Sequence, residues 1–245
     1  MAIWFVLVIV LLVLVVLLGS QRVQIAHKAS LEGIESPEAA QAYDRISKWP
    51  QFELLRRMVL TELKKYHPEG TIVDIGCGPG YLVALMAKSF PDLKIIGIDI
   101  SKEMVATASD NLSSPGFGSR LEFRQGDAQN LPLEDSTVDF VVSTLSLHHW
   151  SDPKSALREI HRVLKPSGQF LIFDLRRDSR GWFYWLIHFA QRFVLPAPMR
   201  RINEPLNSFL SSYTPVETED ILSGAQFQKA NIFSRIAFLF IWGQK

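Results

Sequence analysis

Hydrophobic positions are distributed along this chain in three distinct ways. Residues 2–18 are unbroken apolar sequence, rich in Ile, Leu and Val, with Trp4 near the start. From residue 71 to residue 173, short apolar runs centred near Ile72, Ile96, Phe123, Val141 and Ile172 alternate with mixed stretches of helical length. Runs that lack in–out alternation suit strands covered on both faces, and their alternation with helices predicts a parallel, doubly wound α/β sheet. Helical periodicity dominates elsewhere. Ser36 reads as an N-cap with Pro37 in the first turn, Pro50 interrupts, and residues 52–66 resume as an amphipathic helix with Leu55, Val59 and Leu63 on one face. Near the end, residues 218–223 read as part of a helix stopped by Gly224, and residues 229–233 and 236–242 as a closing pair of strands.

Between the fifth strand and that tail lies an insertion, residues 176–212, carrying Arg176, Arg177, Arg180, Arg192, Arg200 and Arg201. Wound as a helix, its aromatic segment 182–193 puts Trp182, Trp185, Leu186, Phe189 and Phe193 on one stripe, with Tyr184, His188 and Gln191 facing away. Two readings stand. The stripe packs on the domain as a lid, or it lies in a lipid headgroup layer with the arginines meeting anionic lipid.

The N-terminal run spans roughly 25 Å as a helix, the short end of a membrane crossing. It has no preceding basic residue, is long for a signal-peptide core and is followed by no A-x-A site, so an uncleaved single-pass anchor is expected. The expected organisation is an anchor at 1–21, a linker at 22–36 and one domain at 37–245. Arg22 and Lys28 follow the run, which places the domain on the cytoplasmic side by the positive-inside rule.

Composition narrows this picture without redirecting it. The chain has 245 residues, 47% of them hydrophobic, enough for a single core of ordinary size. A net charge of +1 gives no global pull toward nucleic acid. The lone cysteine, Cys77, excludes an internal disulfide and a multi-cysteine zinc site, and reads either as a small packing residue or as a nucleophile.

Chemistry concentrates at Val73-Asp74-Ile75-Gly76-Cys77-Gly78-Pro79-Gly80-Tyr81, a buried strand running into a glycine-dense turn and then a helix. Such a turn lets a ligand lie on the main chain at a helix N-terminus. The spacing is G-x-G-x-G, with Tyr81 where a dinucleotide fingerprint wants its third glycine. Asp99 closes a second strand about 20 residues on, where a carboxylate accepts ribose hydroxyls. Asp127 follows a third strand at the same sheet edge.

With Val138-Asp139-Phe140-Val141-Val142-Ser143, Leu145-Ser146-Leu147-His148-His149-Trp150 and Glu159 to Gly168 in family order, residues 71–173 resemble a class I S-adenosylmethionine-dependent methyltransferase of the broad small-molecule type. That resemblance implies a Rossmann-like, mostly parallel seven-stranded sheet closed by an antiparallel pair, with S-adenosylmethionine as cofactor. It implies contacts from Asp74, Gly76, Cys77, Gly78 and Gly80 to the methionine part. Asp99 would bind the ribose hydroxyls and Asp127 meet the adenine amino group, with Ile100, Ala128 and Ser143 as further cofactor contacts. His148, His149 and Asp174 are the candidate catalytic groups. Tyr43 is a further candidate contact, with a plain packing role as its rival, and Tyr213 a candidate for the acceptor pocket. Adjacent histidines are expected to point apart, and no acid cluster supports a metal.

The expected activity is methyl transfer to a small or lipid-like acceptor, such as a quinone precursor or a phospholipid headgroup, at the cytoplasmic membrane face. Two rivals share the glycine turn. One is an NAD(P)-dependent oxidoreductase, disfavoured by Tyr81, Asp127 and the closing strands. The other is a membrane-tethered, non-catalytic cofactor-binding domain. A nucleic-acid methyltransferase would want an Asn/Asp-Pro-Pro-aromatic loop, where this chain has Ser143-Thr144-Leu145-Ser146.

Overall fold

The computed structural model describes residues 21–29, 36–113 and 119–245. The apolar run expected to anchor the chain, residues 2–18, lies outside them. Among the described residues no helix is long and apolar enough to cross a membrane.

Two helices lead in. α1 (Pro37–Ser47) starts as its sequence requires, the Ser36 hydroxyl accepting from the Ala39 N–H at 3.1 Å with Pro37 at the first turn. α2 (Pro50–Leu63) follows and tightens into a 3₁₀ turn at Lys64–Tyr66. The sheet then builds as β1 (Thr71–Ile75), α3 (Tyr81–Ser89), β2 (Lys94–Asp99), α4 (Lys102–Asn111), β3 (Leu121–Gln125), β4 (Val138–Thr144), α5 (Pro153–Val163) and β5 (Leu164–Leu175). After the insertion come α9 (Pro215–Ser223), held by a Thr214–Glu217 capping box, and the hairpin β6 (Lys229–Arg235) and β7 (Phe238–Gln244).

The seven strands order as β3-β2-β1-β4-β5-β7-β6. β1 to β5 run parallel, and β7 lies antiparallel between β5 and β6. Chain order reverses between β1 and β4, and the carboxyl ends of strands flanking such a reversal form the crevice that doubly wound folds use for ligands.

Both faces are covered, as strands without alternation require. Val73, Ile75, Ile98, Val141 and Ile172 pack beneath α5 and α9, while Ile72, Ile95, Val142, Leu171 and Phe173 pack beneath α2 and α3. Gly97 in β2 marks one tight spot. A Cβ there would sit 2.6 Å from the Phe123 ring and 3.0 Å from the Cys77 sulfur, so its absence makes room for that thiol.

Two expected boundaries differ. The segment Lys165-Pro166-Ser167-Gly168, whose Pro-Ser-Gly composition suits a turn, belongs to β5, which begins at Leu164. Ser167 adopts φ 65° and its N–H donates to the Lys245 carbonyl, so a bulge tied to the chain's last residue replaces the turn. The closing strands are also offset, because the hairpin turns at Ile236 and Ala237.

In the insertion, α6 (Gly181–Phe189) runs into a π turn at Ala190–Val194, followed by α7 (Ala197–Arg201) and α8 (Leu206–Ser211). The lid reading of the aromatic stripe is overturned. Trp185 is 69% exposed, Phe189 57% and Phe193 68%, and the helix packs by its other side, with Gly181 and Ile187 buried and Tyr184 against Phe209. Helical periodicity fixes which residues share a face but not which face meets the domain.

Residues 21–29 lie along this insertion as an extended strap. The Val23 N–H donates to the Ser179 carbonyl, Arg22 bridges Asp178 at 3.0 Å, and His27 stacks on Tyr213 at 4.9 Å.

Candidate active site

The crevice opens between the glycine turn, which follows β1, and the pair α1–α2. Gly76, Gly78 and Gly80 have φ of 73°, 52° and 83°, where an L side chain costs about 1–2 kcal/mol. At Gly76 a Cβ would also lie 2.2 Å from the Ser146 hydroxyl, which receives the Trp150 indole N–H at 3.1 Å. Glycine is therefore required twice over: by backbone conformation and by the loop after β4.

Asp99 organises the turn from the end of β2. One carboxylate oxygen accepts from the Gly78 N–H at 2.8 Å and the other from the Ser101 N–H at 3.0 Å, where Ser101 caps α4. Burial raises its pKa, and those backbone N–H groups partly offset the rise. Ile100 beside it is 62% exposed, an apolar platform at the edge of a second depression bordered by Gln125, Gly126 and Asp127. Asp127 accepts from the Gln129 N–H at 2.9 Å, and Ala128 is buried beneath it.

Asp74 is 1% exposed and its Oδ1 has no hydrogen-bond partner among the described residues. Burial first, then the Asp99 charge, pushes its pKa well above the ordinary carboxylate range. A buried acid with an open oxygen on the crevice wall fits a cationic amino group. The cradle of positive-φ glycines, the ribose-ready Asp99 and the exposed Ile100 fit the remainder of S-adenosylmethionine.

The sign of the resulting linkage follows directly. The folded protein holds a proton on Asp74 that the unfolded chain has released, so stability without cofactor falls as pH rises from the ordinary carboxylate range through the raised value. Affinity for an amino-bearing ligand should rise across the same window. We expect Asp74→Asn to abolish the affinity trend and to weaken the stability trend, which Asp99 and His148 share, as calorimetric titration and thermal melts against pH would show.

Cys77 is 7% exposed, and burial raises its pKa well above the usual thiol value, followed by the Asp74 and Asp99 charges. That suppresses the thiolate, which favours a packing residue over a nucleophile. Ser143 is fully buried behind the crevice, its hydroxyl without a hydrogen-bond partner among the described residues, while the next two residues, Thr144 and Leu145, form the wall.

His148 and Asp174 come together as a buried pair beside the carboxyl ends of β4 and β5. His148 Nδ1 lies 2.6 Å from Asp174 Oδ1, and the His148 N–H donates to Oδ2 at 3.1 Å. Burial alone would depress the imidazole, but the Asp174 charge and hydrogen bond outweigh it and the pKa is raised. Its Nε2 is buried without a partner among the described residues. His149 does not point away as expected. The 3₁₀ turn Leu147–His149 brings the two rings to 4.2 Å, and burial plus the His148 charge lower its pKa to about 2. His149 is thus held neutral, which disfavours it as an acid.

Tyr43 lies over the turn, 3.6 Å from where a Gly78 Cβ would be, its pKa pushed up to about 12 by burial, then by Asp99 and Glu204. Glu204, 7% exposed in the insertion, also acts on His148 and so links the two halves of the site. Sequence reading singled out no role for it, since nothing in its spacing ties an acid between α7 and α8 to the sheet edge. Tyr81 was read only as a missing glycine. Its hydroxyl donates to Asp44 at 2.7 Å, Asn111 donates to the same oxygen at 3.1 Å, and Lys48 holds the other at 2.8 Å, tying α1 across the crevice mouth to α3 and α4.

A family model described as a methyltransferase domain matches residues 73–172. The uncharacterized methyltransferase YcgJ of Bacillus subtilis is 37% identical over 106 residues, 43% of this chain and 41% of that protein. A demethylmenaquinone methyltransferase of Desulfitobacterium hafniense is 31% identical over 153 residues, 60% of each. The chain spans about half the length of the curated relatives it matches. Among solved structures, a SAM-dependent methyltransferase from Aquifex aeolicus superposes with a TM-score of 0.63 at 22% identity, over 85% of this chain and 98% of that one. The plantazolicin methyltransferase BpumL, solved with SAH, gives 0.64 at 18%, over 86% and 92%. These likenesses share the fold of S-adenosylmethionine-dependent methyltransferases, the family match covers the glycine turn, Asp99, Asp127 and the strand-four loop together, and residues 73–172 carry a methyltransferase domain.

Proposed function

We propose that this protein transfers a methyl group to a hydrophobic acceptor bearing a phenolic or enolisable position, at the cytoplasmic face of a membrane to which residues 2–18 hold it. The observation that carries the acceptor class is the buried His148–Asp174 pair. An amine acceptor needs no strong base, whereas a phenol or activated ring carbon must lose a proton. With Nδ1–H committed to Asp174, neutral His148 presents its lone pair at Nε2, the form in which it takes that proton. The demethylmenaquinone methyltransferase among the relatives supports a quinol-like acceptor.

S-adenosylmethionine supplies an electrophilic methyl on a sulfonium when bound. The chain's own task is positioning. Asp74 holds the amino group, Asp99 the ribose hydroxyls and the glycine turn the carboxylate end, while Tyr43 and α1 shut water out. Tyr81, occupying the third-glycine position and spent on the Asp44 contact, favours this over the nicotinamide reading.

The full chain in lipid nanodiscs, titrated with S-adenosylhomocysteine and with NADH, tests the cofactor. Micromolar binding of the former alone supports the reading, and binding of NADH alone overturns it. Radiolabelled methyl transfer to a short-chain quinol against a matched hydrophobic amine tests the acceptor. Transfer to the amine alone removes the base role from His148.

A further inference from the structure

We propose that the outer face of α6 is a docking surface for an anionic lipid bilayer, which seats the domain flat on the membrane beside its N-terminal run. This deepens the membrane part of the function proposed above and rests on that part. Trp182, Trp185, Leu186, Phe189, Phe193 and Val194 are each at least 41% exposed and form one stripe through the π turn. A large contiguous apolar patch is uncommon on a soluble surface and marks a contact site.

Two observations choose lipid over protein as its occupant. The first is charge. Arg180, Arg192, Arg200 and Arg201 are all exposed around the stripe, and Arg192 lies over the Phe193 ring at 5.7 Å. Asp178, the acid nearest the start of the helix, is already paired with Arg22 and Arg176. An aromatic stripe rimmed by arginines that make no ion pair among the described residues complements a headgroup layer that carries phosphate.

The second is convergence. The Gln21 carbonyl accepts from the N–H of Gly181, the first residue of α6, at 2.8 Å, and Arg22 pairs with Arg180 as an antiparallel bridge. The residues that follow the apolar run are therefore fastened to the start of the exposed aromatic helix. A bilayer reached by residues 2–18 meets this stripe first. Arg22, one of the positive charges that set orientation, thereby becomes part of the same surface.

The test uses the full chain with Phe193→Cys labelled by an environment-sensitive nitrobenzoxadiazole, Cys77 being buried. A parallel Asp92→Cys label, in the exposed loop before β2 at the amino ends of the strands, serves as reference. Chains are reconstituted into nanodiscs of phosphatidylcholine with or without phosphatidylglycerol. A blue-shifted emission at position 193, quenched severalfold by lipid-borne nitroxide and absent at position 92, supports the proposal. Loss of the phosphatidylglycerol dependence in Arg192→Glu/Arg201→Glu supports the charge argument. Water-like emission from incorporated chains overturns the docking face while leaving the anchor and cofactor readings intact. A blue shift without lipid quenching also overturns it, since a second copy or residues 2–18 then cover the stripe. Failure of the chain to enter the discs overturns the anchor and the docking face together.

Discussion

Asp99→Ala should weaken S-adenosylhomocysteine binding by roughly 100-fold while leaving a folded protein. Two charge-assisted hydrogen bonds to a ribose diol, at about 1.5 kcal/mol each, amount to about 3 kcal/mol, or roughly two decades of affinity. The same carboxylate aligns the Gly78 N–H and the Ser101 N–H, so its loss also loosens the turn and the first turn of α4. Asp99→Asn separates the two effects. Its carbonyl oxygen still accepts one N–H, but its amide nitrogen turns a donor toward the other, so affinity should fall while α4 stays capped by the Ser101 hydroxyl. Calorimetric titration beside a thermal melt reads both. Unchanged affinity in Asp99→Ala would remove the ribose assignment.

His148→Ala should lower kcat by about 10²–10⁴-fold with little change in KM for the cofactor, the range expected for loss of a general base. The pH dependence is the sharper test. A base works only when unprotonated, and Asp174 raises the His148 pKa against the pull of burial. Activity should therefore fall on the acid side with a midpoint above the ordinary histidine value. Asp174→Asn should carry that limb to lower pH while reducing kcat. A merely structural Asp174 would lower stability without moving the limb. Stability runs the other way: with a folded pKa above the unfolded one, the His148–Asp174 contribution is full below the unfolded value and is lost as pH rises through the folded one. Optimal activity and maximal contribution from this pair thus lie at opposite ends of one pH window.

How much could be read in the chain depended on whether the physics was local. The Ser36–Pro37 cap, the G-x-G-x-G turn and the acids ending β2 and following β3 are set by neighbours in sequence, and they stand where the pattern puts them. The β6–β7 turn was misplaced because Ile236, β-branched and at φ 49°, sits where turn chemistry favours glycine or asparagine. Ile236 is 70% exposed, so burial does not explain its presence there. The outward stripe of α6, the pairing of His148 with Asp174 and the reach of Glu204 to Tyr43 and His148 depend on how distant segments pack. No period or spacing in one segment encodes them.

The tie between α1 and the helices flanking the glycine turn stands where a ligand of the crevice would enter and leave. Asp44 keeps a pKa below the ordinary carboxylate value against the pull of partial burial, through hydrogen bonds from Lys48, Tyr81 and Asn111. Arg56 lies over the Tyr81 ring at 5.2 Å. If spent cofactor leaves past this cluster, α1 parts from Tyr81 and Asn111 once per turnover. Lys48 stands in solvent, which makes part of that barrier ionic and sensitive to screening. Turnover limited by product escape would then quicken with added salt, a kinetic signature that methyl transfer itself does not share.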